Sequence, residues 1–333
     1  MKLTIAGALN RALHEEMERD PAVMQLGLDI AALGGLFGVT KGLVDRFGKD
    51  RVIDTPISEA GYTGAAIGLA LEGFRPVVEI QFADFVTVAF DQISTVAAKM
   101  NFITQGKLQV PMVLRLPYGV NLSSGYMVGA GPHHSQSLEA WFCHCAGLKV
   151  VMPSNAADAY GLMKSAIRDN NPVIFCEQKG LYFTTDEVPD DHLVPIGVAM
   201  VRKAGKDVTI VATGVTVDLA LSVANRFEEE DGISVEVIDP RTLVPLDTQT
   251  ILDSVHKTGR AIIVQEADQG FGFCAEVSAI IGEHAFEHLK AGIQRIGALS
   301  MPIPGGGSAA GMLPSDARIS AAIRTVMSWS APR

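Results

Sequence analysis

One carboxylate, that of Glu59, stands where a short apolar stretch gives way to a helical pattern. Pro56 disfavours helix in the residue before it and Ser58 is a common helix-capping residue, so we predict a helix from Glu59 to Glu72. A carboxylate at that position can simply stabilise the helix dipole. Screened from water, it can instead act as a general acid or base.

The helix that begins at Glu59 carries a row of small residues. Gly61, Gly64, Ala65 and Gly68 recur at helical spacing. Because these residues have no bulk, another helix or a cofactor can approach the backbone closely on that face. The carboxylate and a close-approach surface therefore belong to the same predicted element.

Motifs between residues 54 and 267 resemble, in order and spacing, the β subunits of thiamine-diphosphate-dependent 2-oxo acid dehydrogenases. Several separate motifs in one order are more specific than any single one, and together they cover nearly the whole chain. The motifs are Asp54-Thr55-Pro56-Ile57-Ser58-Glu59-Ala60-Gly61, Glu79-Ile80-Gln81-Phe82, Phe85, Asp91-Gln92, Ala97-Ala98-Lys99, His134-Ser135-Gln136-Ser137, Gly147-Leu148-Lys149-Val150-Val151, Asp169-Asn170-Asn171-Pro172-Val173, Asp239-Pro240-Arg241-Thr242, Lys257-Thr258-Gly259-Arg260 and Glu266-Ala267.

The resemblance implies a catalytic role for Glu59. Its carboxylate would bond to the pyrimidine N1′ of thiamine diphosphate and favour the imino form, whose 4′-nitrogen acts as a base towards C2. The resemblance also implies that Phe85 forms an aromatic wall for the pyrimidine and that Gln81 makes a polar contact beside it. By residue type alone, Phe85 fits a core aromatic and Gln81 a polar strand residue equally well.

His133 and His134 follow a stretch rich in glycine and serine, residues 119–132. A histidine on a loop titrates near neutral pH and suits proton donation, while by itself it is also explained as a surface residue. By resemblance, His134 is the active-site member because it immediately precedes Ser135 and Gln136. It would hold the reaction intermediate and assist transfer of the acyl group to a lipoyl dithiolane.

The resemblance further implies a structural monovalent cation, potassium, held largely by main-chain oxygens. The matching positions are Met112, Ala166, Asp169 and Asn171. Carbonyl ligands leave almost no trace in composition, so residue type supports only Asp169 and Asn171. A helix end followed by Pro172 needs no ion.

No Gly-Asp-Gly motif occurs in the sequence. Enzymes that hold thiamine diphosphate alone carry that motif and a following asparagine, which ligates the Mg²⁺ between the phosphates. The chain is therefore expected to supply the pyrimidine half of a site, while an α subunit holds the diphosphate and Mg²⁺. The implied assembly is an α2β2 heterotetramer. The second domain of this chain would dock a lipoyl-bearing dihydrolipoyl acyltransferase.

The implied function is that of the β subunit in the first component of a 2-oxo acid dehydrogenase, active only with an α subunit. Its reaction would be oxidative decarboxylation of a branched-chain 2-oxo acid or pyruvate, or cleavage of acetoin, with acyl transfer to lipoyl groups. The segments around Tyr118 and Glu139 lean slightly towards the branched-chain and acetoin types. Many relatives have an acidic residue at the position of Leu28, where it belongs to a proton relay between paired active sites. This chain lacks that acidic residue.

Two alternatives come from other classes of protein. Gly270, Gly272 and Ala275 match the G-x-G-x-x-A dinucleotide fingerprint, which would indicate an NAD-binding oxidoreductase. Against this, residues 266–269 separate the strand from the glycines, and no acidic residue ends a following strand, so a tight loop is preferred. The other alternative is a non-catalytic assembly subunit with the same fold, suggested by Leu28 and a glycine tract.

Charge and composition argue against several partners. A net charge of −10 opposes nucleic-acid binding, which calls for a basic face. No apolar run approaches the roughly 18 residues of a membrane span, and the amino-terminal segment lacks the apolar core of a secretion signal, so we expect a cytoplasmic protein. With 48% hydrophobic residues and 19% charged residues, extensive burial is expected, part of it at subunit interfaces.

The four cysteines are not spaced as a disulfide framework. Cys143-His144-Cys145 invites a zinc interpretation, but a closed site needs four ligands and no second pair follows. Packing is therefore the preferred interpretation for the cysteines.

Short apolar strands alternate with helices around these residues, which predicts parallel sheets covered by helices on both faces. The fold class is therefore α/β, with two three-layer domains. A polar stretch at residues 184–195 marks the linker, so we place a pyrimidine-binding domain at residues 1–183, a linker at 184–198 and a transketolase C-terminal-like domain at 199–333. We also predict a helix over residues 85–100, an irregular loop over 119–132, and a glycine tract at 305–311 that is flexible or is ordered only by a partner.

Overall fold

A computed structural model of the chain describes residues 1–123 and 126–329. Two compact units make up the chain: the first comprises Met1–Tyr118 and Trp141–Ile196, and the second Gly119–Ala140 and Gly197–Arg333. Each contains a parallel-rich sheet with helices, so the predicted α/β class is confirmed. Ser124 and Gly125, which belong to the predicted loop, lie outside the described residues.

Strands and helices alternate along most of the chain, as the sequence predicts. The strands are β1 (Lys2–Thr4), β2 (Val23–Gly27), β3 (Val52–Asp54), β4 (Arg75–Glu79), β5 (Val113–Tyr118), β6 (Asn121–Ser123), β7 (Tyr126–Ala130), β8 (Lys149–Val151), β9 (Val173–Gln178), β10 (Thr185–Glu187), β11 (Met200–Lys203), β12 (Val208–Ala212), β13 (Val235–Asp239), β14 (Thr242–Val244), β15 (Ala261–Asp268), β16 (Gln294–Ala298) and β17 (Gly305–Gly306). The helices are α1 (Ile5–Arg19), α2 (Leu43–Phe47), α3 (Glu59–Leu71), α4 (Ala98–Ile103), α5 (Glu139–Cys143), α6 (Ala156–Arg168), α7 (Thr216–Asp231), α8 (Thr248–Thr258), α9 (Phe273–His284) and α10 (Asp316–Ser328).

In the first unit, six parallel strands lie in the order β8-β9-β5-β4-β2-β3. They are short and mostly apolar, as is typical of strands buried on both faces. A separate antiparallel pair joins β1 to β10. Part of the predicted linker at residues 184–198 is therefore a strand of this unit, because the backbone groups of β10 pair with the first strand of the chain.

The sheet of the second unit has the order β11-β13-β12-β15-β16, in which only the pairing of β11 with β13 is antiparallel. Alternate residues of its central strands pack against α7 and α10 in one apolar cluster. Its strand members include Val208, Ile210, Val235, Val237, Ile262 and Val264. Burial of these branched side chains is the main stabilising contribution to this unit.

Local signals in the sequence set most helix ends. The side chains of Thr4 and Asn155 accept backbone amide hydrogens at the starts of α1 and α6. Gly232 and Gly259 adopt the left-handed conformation just after α7 and α8, which favours glycine because a Cβ atom is strained there. Within the described ranges, no helix is both long enough and apolar enough to cross a membrane.

One local prediction is partly confirmed and two are wrong. Residues 85–100 are helical as predicted, but the segment consists of a 3₁₀ helix (Ala83–Ala89), a π-helix (Gln92–Ala97) and the start of α4, because an apolar period does not distinguish hydrogen bonds to the third, fourth or fifth residue. The loop over residues 119–132 contains the antiparallel hairpin β6–β7. The glycine tract forms β17 and a 3₁₀ turn (Gly307–Met312), since β17 pairs with β7 inside this chain.

Candidate functional site

Helix α3 begins at Glu59 and ends at Leu71, one residue before the predicted end. Ser58 occupies the N-cap position, but its side chain makes no capping hydrogen bond. Glu59 is half-buried, and no hydrogen bond or ion pair from residues 1–123 or 126–329 engages its carboxylate. Gly61 and Gly68 of the small-residue row are exposed. The carboxylate and an open helix face are thus both available to a ligand.

Tyr62 lies one helical turn beyond Glu59 and is buried. Burial raises the pKa of the Tyr62 hydroxyl, and the nearby carboxylates of Glu59 and Glu79 raise it further. The hydroxyl therefore stays protonated at neutral pH, beside the predicted catalytic carboxylate. Sequence reasoning missed this residue, although its spacing of three from Glu59 was a usable signal.

Gln81 and Phe85 follow the carboxyl end of β4. Gln81 Nε2 donates to the carbonyl of Leu28, which follows β2, at 3.4 Å. The ring of Phe85 meets the ring of Phe82 edge-on, with centroids 5.8 Å apart, and both Gln81 and Phe85 are half-buried. Glu59, Leu28 and Gln81 therefore follow three adjacent parallel strands, β3, β2 and β4, at the edge where such sheets usually bind ligands.

A buried ionic cluster lies within the same sheet. Arg115 of β5, which is 1% exposed, donates from Nε and Nη2 to the two carboxylate oxygens of Glu177 at 2.7 and 2.8 Å. Its Nη1 bonds to Glu79, the residue opposite it on β4. The hydroxyl of Tyr182 donates to Glu177. The sequence signal, a charged residue inside or at the end of each of three mostly apolar strands, went unused.

Burial raises the pKa of Glu79, and although Arg115 opposes that effect, Glu177 adds to it. Within the part of the chain that the structure covers, Glu79 Oε1 is buried without a hydrogen-bond partner. Gly35, at a φ of +76°, packs over this carboxyl, since a Cβ there would lie 3.2 Å from Oε1. The glycine turn after β2 thus shields the carboxyl that carries the raised pKa.

His134 belongs to the second unit, whereas Glu59, Gln81 and Phe85 belong to the first. His134 is half-buried and His133 is exposed. The amide of His134 donates to the carbonyl of Gly131 at 3.2 Å. The backbone therefore makes a turn between Gly131 and His134.

Glu266 is a further buried acid that sequence reasoning assigned no role. Its Oε1 accepts the amide hydrogen of Val120 at 2.6 Å. Glu139, near the other end of the loop, accepts from the hydroxyl of Ser137 at 2.8 Å, and burial raises the pKa of Glu139. The loop that carries His134 therefore lies between two buried carboxyl groups.

The residues predicted to hold potassium lie around the end of α6. The carbonyls of Met112 and Ala166 each accept one amide hydrogen, which leaves each a second lone pair. The carboxylate of Asp169 pairs with Lys149 and accepts from the amide of Asn171. The main-chain oxygen of Asp169 already accepts from Nη1 of Arg75 at 3.0 Å, and its side chain is engaged as well. The fit to a cation therefore rests on the main-chain oxygens of Met112 and Ala166.

Neither the cysteines nor the glycine fingerprint forms the alternative sites. Over the described ranges, no three His, Cys, Asp or Glu side chains cluster as metal ligands. Burial raises the pKa of the Cys274 thiol to about 12, as expected for a packed cysteine. At the fingerprint, the side chain of Gln265 accepts the first-turn amide hydrogen of Cys274 at 2.6 Å. That side chain takes the place where a phosphate would bond to α9.

Two family models match the chain. The model described as "Transketolase, pyrimidine binding domain" matches residues 1–184, and "Transketolase, C-terminal domain" matches residues 197–319. Among solved structures, a "split gene transketolase, inactive beta4 tetramer" is similar, with a TM-score of 0.78 over 98% of both chains at 21% identity. At that identity the likeness concerns the fold alone.

Curated relatives match over most of their length. The acetoin:2,6-dichlorophenolindophenol oxidoreductase subunit beta of Cupriavidus necator is 44% identical over 98% of both chains. The 2-oxoisovalerate dehydrogenase subunit beta of Bacillus subtilis is 44% identical over 89% of both. The pyruvate dehydrogenase E1 component subunit beta of Leifsonia xyli is 43% identical over 91% of this chain and 88% of the relative.

Proposed function

Since the chain belongs to the family of β subunits of 2-oxo acid and acetoin dehydrogenases, we propose that Glu59 is its catalytic acid–base residue and that its reaction requires an α subunit. The substrate is a branched-chain 2-oxo acid, pyruvate or acetoin. The observation that carries the assignment is the half-buried Glu59 carboxylate at the start of α3, on the helix whose small residues Gly61, Ala65 and Gly68 are exposed.

Thiamine diphosphate, when bound, supplies a carbon nucleophile for the substrate carbonyl. Glu59 holds a proton at the pyrimidine N1′, and the fit of this role rests on a carboxylate that no residue of the described chain engages. Phe85 would cover one face of the pyrimidine, and Gln81 would make a polar contact at its edge.

His134 acts in the second half of the reaction. It holds a proton for the lipoyl disulfide. The substrate carbon left after decarboxylation or acetoin cleavage, at the aldehyde level, bonds to one sulfur as the S–S bond breaks, and the other sulfur takes the proton. That carbon is oxidised to the acyl level and supplies the two electrons that reduce the disulfide. A half-buried histidine on a loop between buried carboxyl groups supports this role.

The remaining parts of the assembly are proposed from the sequence. The α subunit completes an α2β2 heterotetramer and holds Mg²⁺ and the diphosphate, because this chain has no Gly-Asp-Gly motif. A dihydrolipoyl acyltransferase supplies the lipoyl group. Potassium binds the main-chain oxygens near Met112 and Ala166; an unchanged unfolding temperature after exchange of K⁺ for Na⁺ would argue against it.

Co-expression with candidate α subunits, followed by dye reduction with each substrate class, tests the function. We expect no activity from the chain alone. Glu59→Gln should lower dye reduction by on the order of 10²-fold or more, because the amide cannot exchange a proton with the ring. Glu72→Gln, exposed at the other end of α3, is the matched control and should retain full activity. Near-normal activity of Glu59→Gln would refute the assignment.

His134→Ala separates the two half-reactions. We expect dye reduction, which needs no lipoyl group, to fall much less than acylation of a lipoyl domain, which should drop on the order of 10²-fold. His133→Ala, at the exposed neighbour, is the control. A normal rate of lipoyl acylation by His134→Ala would remove His134 from the mechanism.

A further inference from the structure

The loop that carries His134 is held by residues far along the chain, all within the second unit. Two contacts hold it: a carboxylate of β15 at the start of the loop, and the strand β17 along its hairpin. Sequence reasoning expected the second of these, the glycine tract at residues 305–311, to be flexible. The structure shows it ordered against the hairpin β6–β7.

The first contact is the carboxylate of Glu266, which is 5% exposed. Its Oε1 accepts the amide hydrogen of Val120 at 2.6 Å. A Cβ placed on Gly119 would lie only 2.4 Å from the same oxygen. The carboxylate therefore packs directly on the backbone, and the start of the loop has little room to shift.

The second contact is the backbone pairing of two glycine-bearing strands, β7 and β17, which we call the seam. Gly305 pairs with Ala130, and Gly306 pairs with Gly129. A Cβ on Gly129 would lie 2.0 Å from the carbonyl oxygen of Pro304, so only glycine permits this approach. Ala309, fully buried, packs in one apolar cluster with Val120.

Both contacts reach the residues that follow His134. The amide of Ala130, the last residue of the seam strand β7, donates to the hydroxyl of Ser135 at 2.8 Å. The amide of Gly119 donates to the carbonyl of Gln136 at 3.1 Å. A displacement of either contact is therefore transmitted through one hydrogen bond to a residue one or two positions beyond the histidine.

We propose that Glu266 and the seam of Gly129 against residues 304–306 are positioning elements that hold His134 in place for acyl transfer. The proposal rests on the acyl-transfer role proposed above for His134. Neither element touches the reacting atoms. They act by fixing the backbone on both sides of the histidine, and small displacements of a reacting group lower rates strongly.

The test uses the enzyme co-expressed with its α subunit and compares two rates, dye reduction and acylation of a lipoyl domain. Gly129→Ala should lower lipoyl acylation on the order of tenfold more than dye reduction. Gly282→Ala is the control, since Gly282 is exposed in α9 of the same unit and has open space at its Cβ position. An equal fall in both rates, or no fall in either, would overturn the proposal.

Two variants at Glu266 examine the first contact independently. Glu266→Gln keeps an oxygen that can accept from Val120, so the ratio of the two rates should stay within about twofold of the wild type. Glu266→Ala removes that acceptor and should lower the ratio on the order of tenfold. Equal losses in the two variants would refute the hydrogen bond as the positioning contact.

Hydrogen exchange of the full chain provides a readout that does not require activity. Gly129→Ala should speed exchange of the amides at residues 126–138 relative to Gly282→Ala, because the seam that protects them is displaced. Unchanged exchange rates would refute the proposal that the seam holds the loop. If the wild type with α subunits reduces no dye with any substrate, the proposed function fails, while the exchange measurement still decides whether the seam holds the loop.

Discussion

The central strands of the two parallel-rich sheets differ in the residues that they bury. The middle strand of the first unit, β5, carries Arg115, fully buried between the carboxylates of Glu79 and Glu177. The middle strand of the second unit, β12, reads Val-Thr-Ile-Val-Ala and packs in an apolar cluster. Both sheets are short-stranded and covered by helices, so the difference does not follow from the architecture.

This difference indicates what each sheet is built for. Burying ions carries a large desolvation penalty, and well-packed apolar residues in their place are often as stable or more so. The centre of the second sheet, β12, follows that rule, whereas its neighbours β13 and β15 carry the buried carboxylates of Glu236, Asp239 and Glu266. The first unit departs from it in β4, the strand that leads to Gln81 and Phe85. We infer that the ionic cluster fixes the end of β4 at the proposed site, and that stability alone does not explain it.

The largest effect should come from breaking the bidentate pair in the first sheet. Glu177→Gln leaves Arg115 buried with only Glu79 to compensate its charge, so we expect the free energy of unfolding to fall by about 3 kcal/mol. Urea unfolding of the full chain measures it. Glu229→Gln, on the exposed face of α7, should change stability by less than about 0.5 kcal/mol. A loss below about 1 kcal/mol in Glu177→Gln would remove the contrast between the sheets.

A smaller, pH-dependent effect should follow Glu79→Gln. Burial raises the pKa of Glu79 above its ordinary 4.5, so the folded state favours the protonated carboxyl. The stability that this proton contributes is fully present below pH 4.5 and is lost as the pH rises through the folded pKa, by about 1.4 kcal/mol per pKa unit.

Wild type should therefore lose stability relative to Glu79→Gln as the pH rises from 4.5. Urea unfolding of both chains at intervals up to pH 8 gives the difference directly, and titrating groups that do not interact with Glu79 cancel in it. A difference that does not change with pH would show that Glu79 takes up no extra proton on folding.

The smallest effect should come from β12, the apolar central strand of the second unit. Ile210→Val removes one buried methylene from β12, so we expect a loss of about 1 kcal/mol that does not depend on pH. Ile57→Val is the matched control, because Ile57 is 77% exposed, and it should change stability little. A pH-dependent loss in Ile210→Val would mean that the two sheet centres are not independent.

Much of the candidate site could be read from the chain itself. Glu59 at the start of α3 was predicted from Pro56 and Ser58, because capping and proline effects act over a few residues. Tyr62 was missed although it lies only three residues away, since a tyrosine at helical spacing is usually a core residue. The cluster of Arg115 was missed because its partners come from separate strands.

The glycine tract at residues 305–311 shows the limit most clearly. Its composition predicts flexibility. That prediction holds for an isolated segment, because glycine adds no side-chain contacts. In the folded chain, the absent side chains are what allow Gly305 and Gly306 to pair with β7. Whether a glycine segment is loose or closely packed depends on a partner strand some 170 residues away, which no local pattern contains.

The sequence by itself determined the α/β alternation, the family resemblance, the start of α3 and the absence of a diphosphate-binding motif, because each is written in neighbouring residues. Only the tertiary structure decided the pairing of Glu79, Arg115 and Glu177, the contact of Glu266 with Val120, and the order of the glycine tract. Those features depend on register and burial between distant segments, and the energies that set them exist only once the strands have come together.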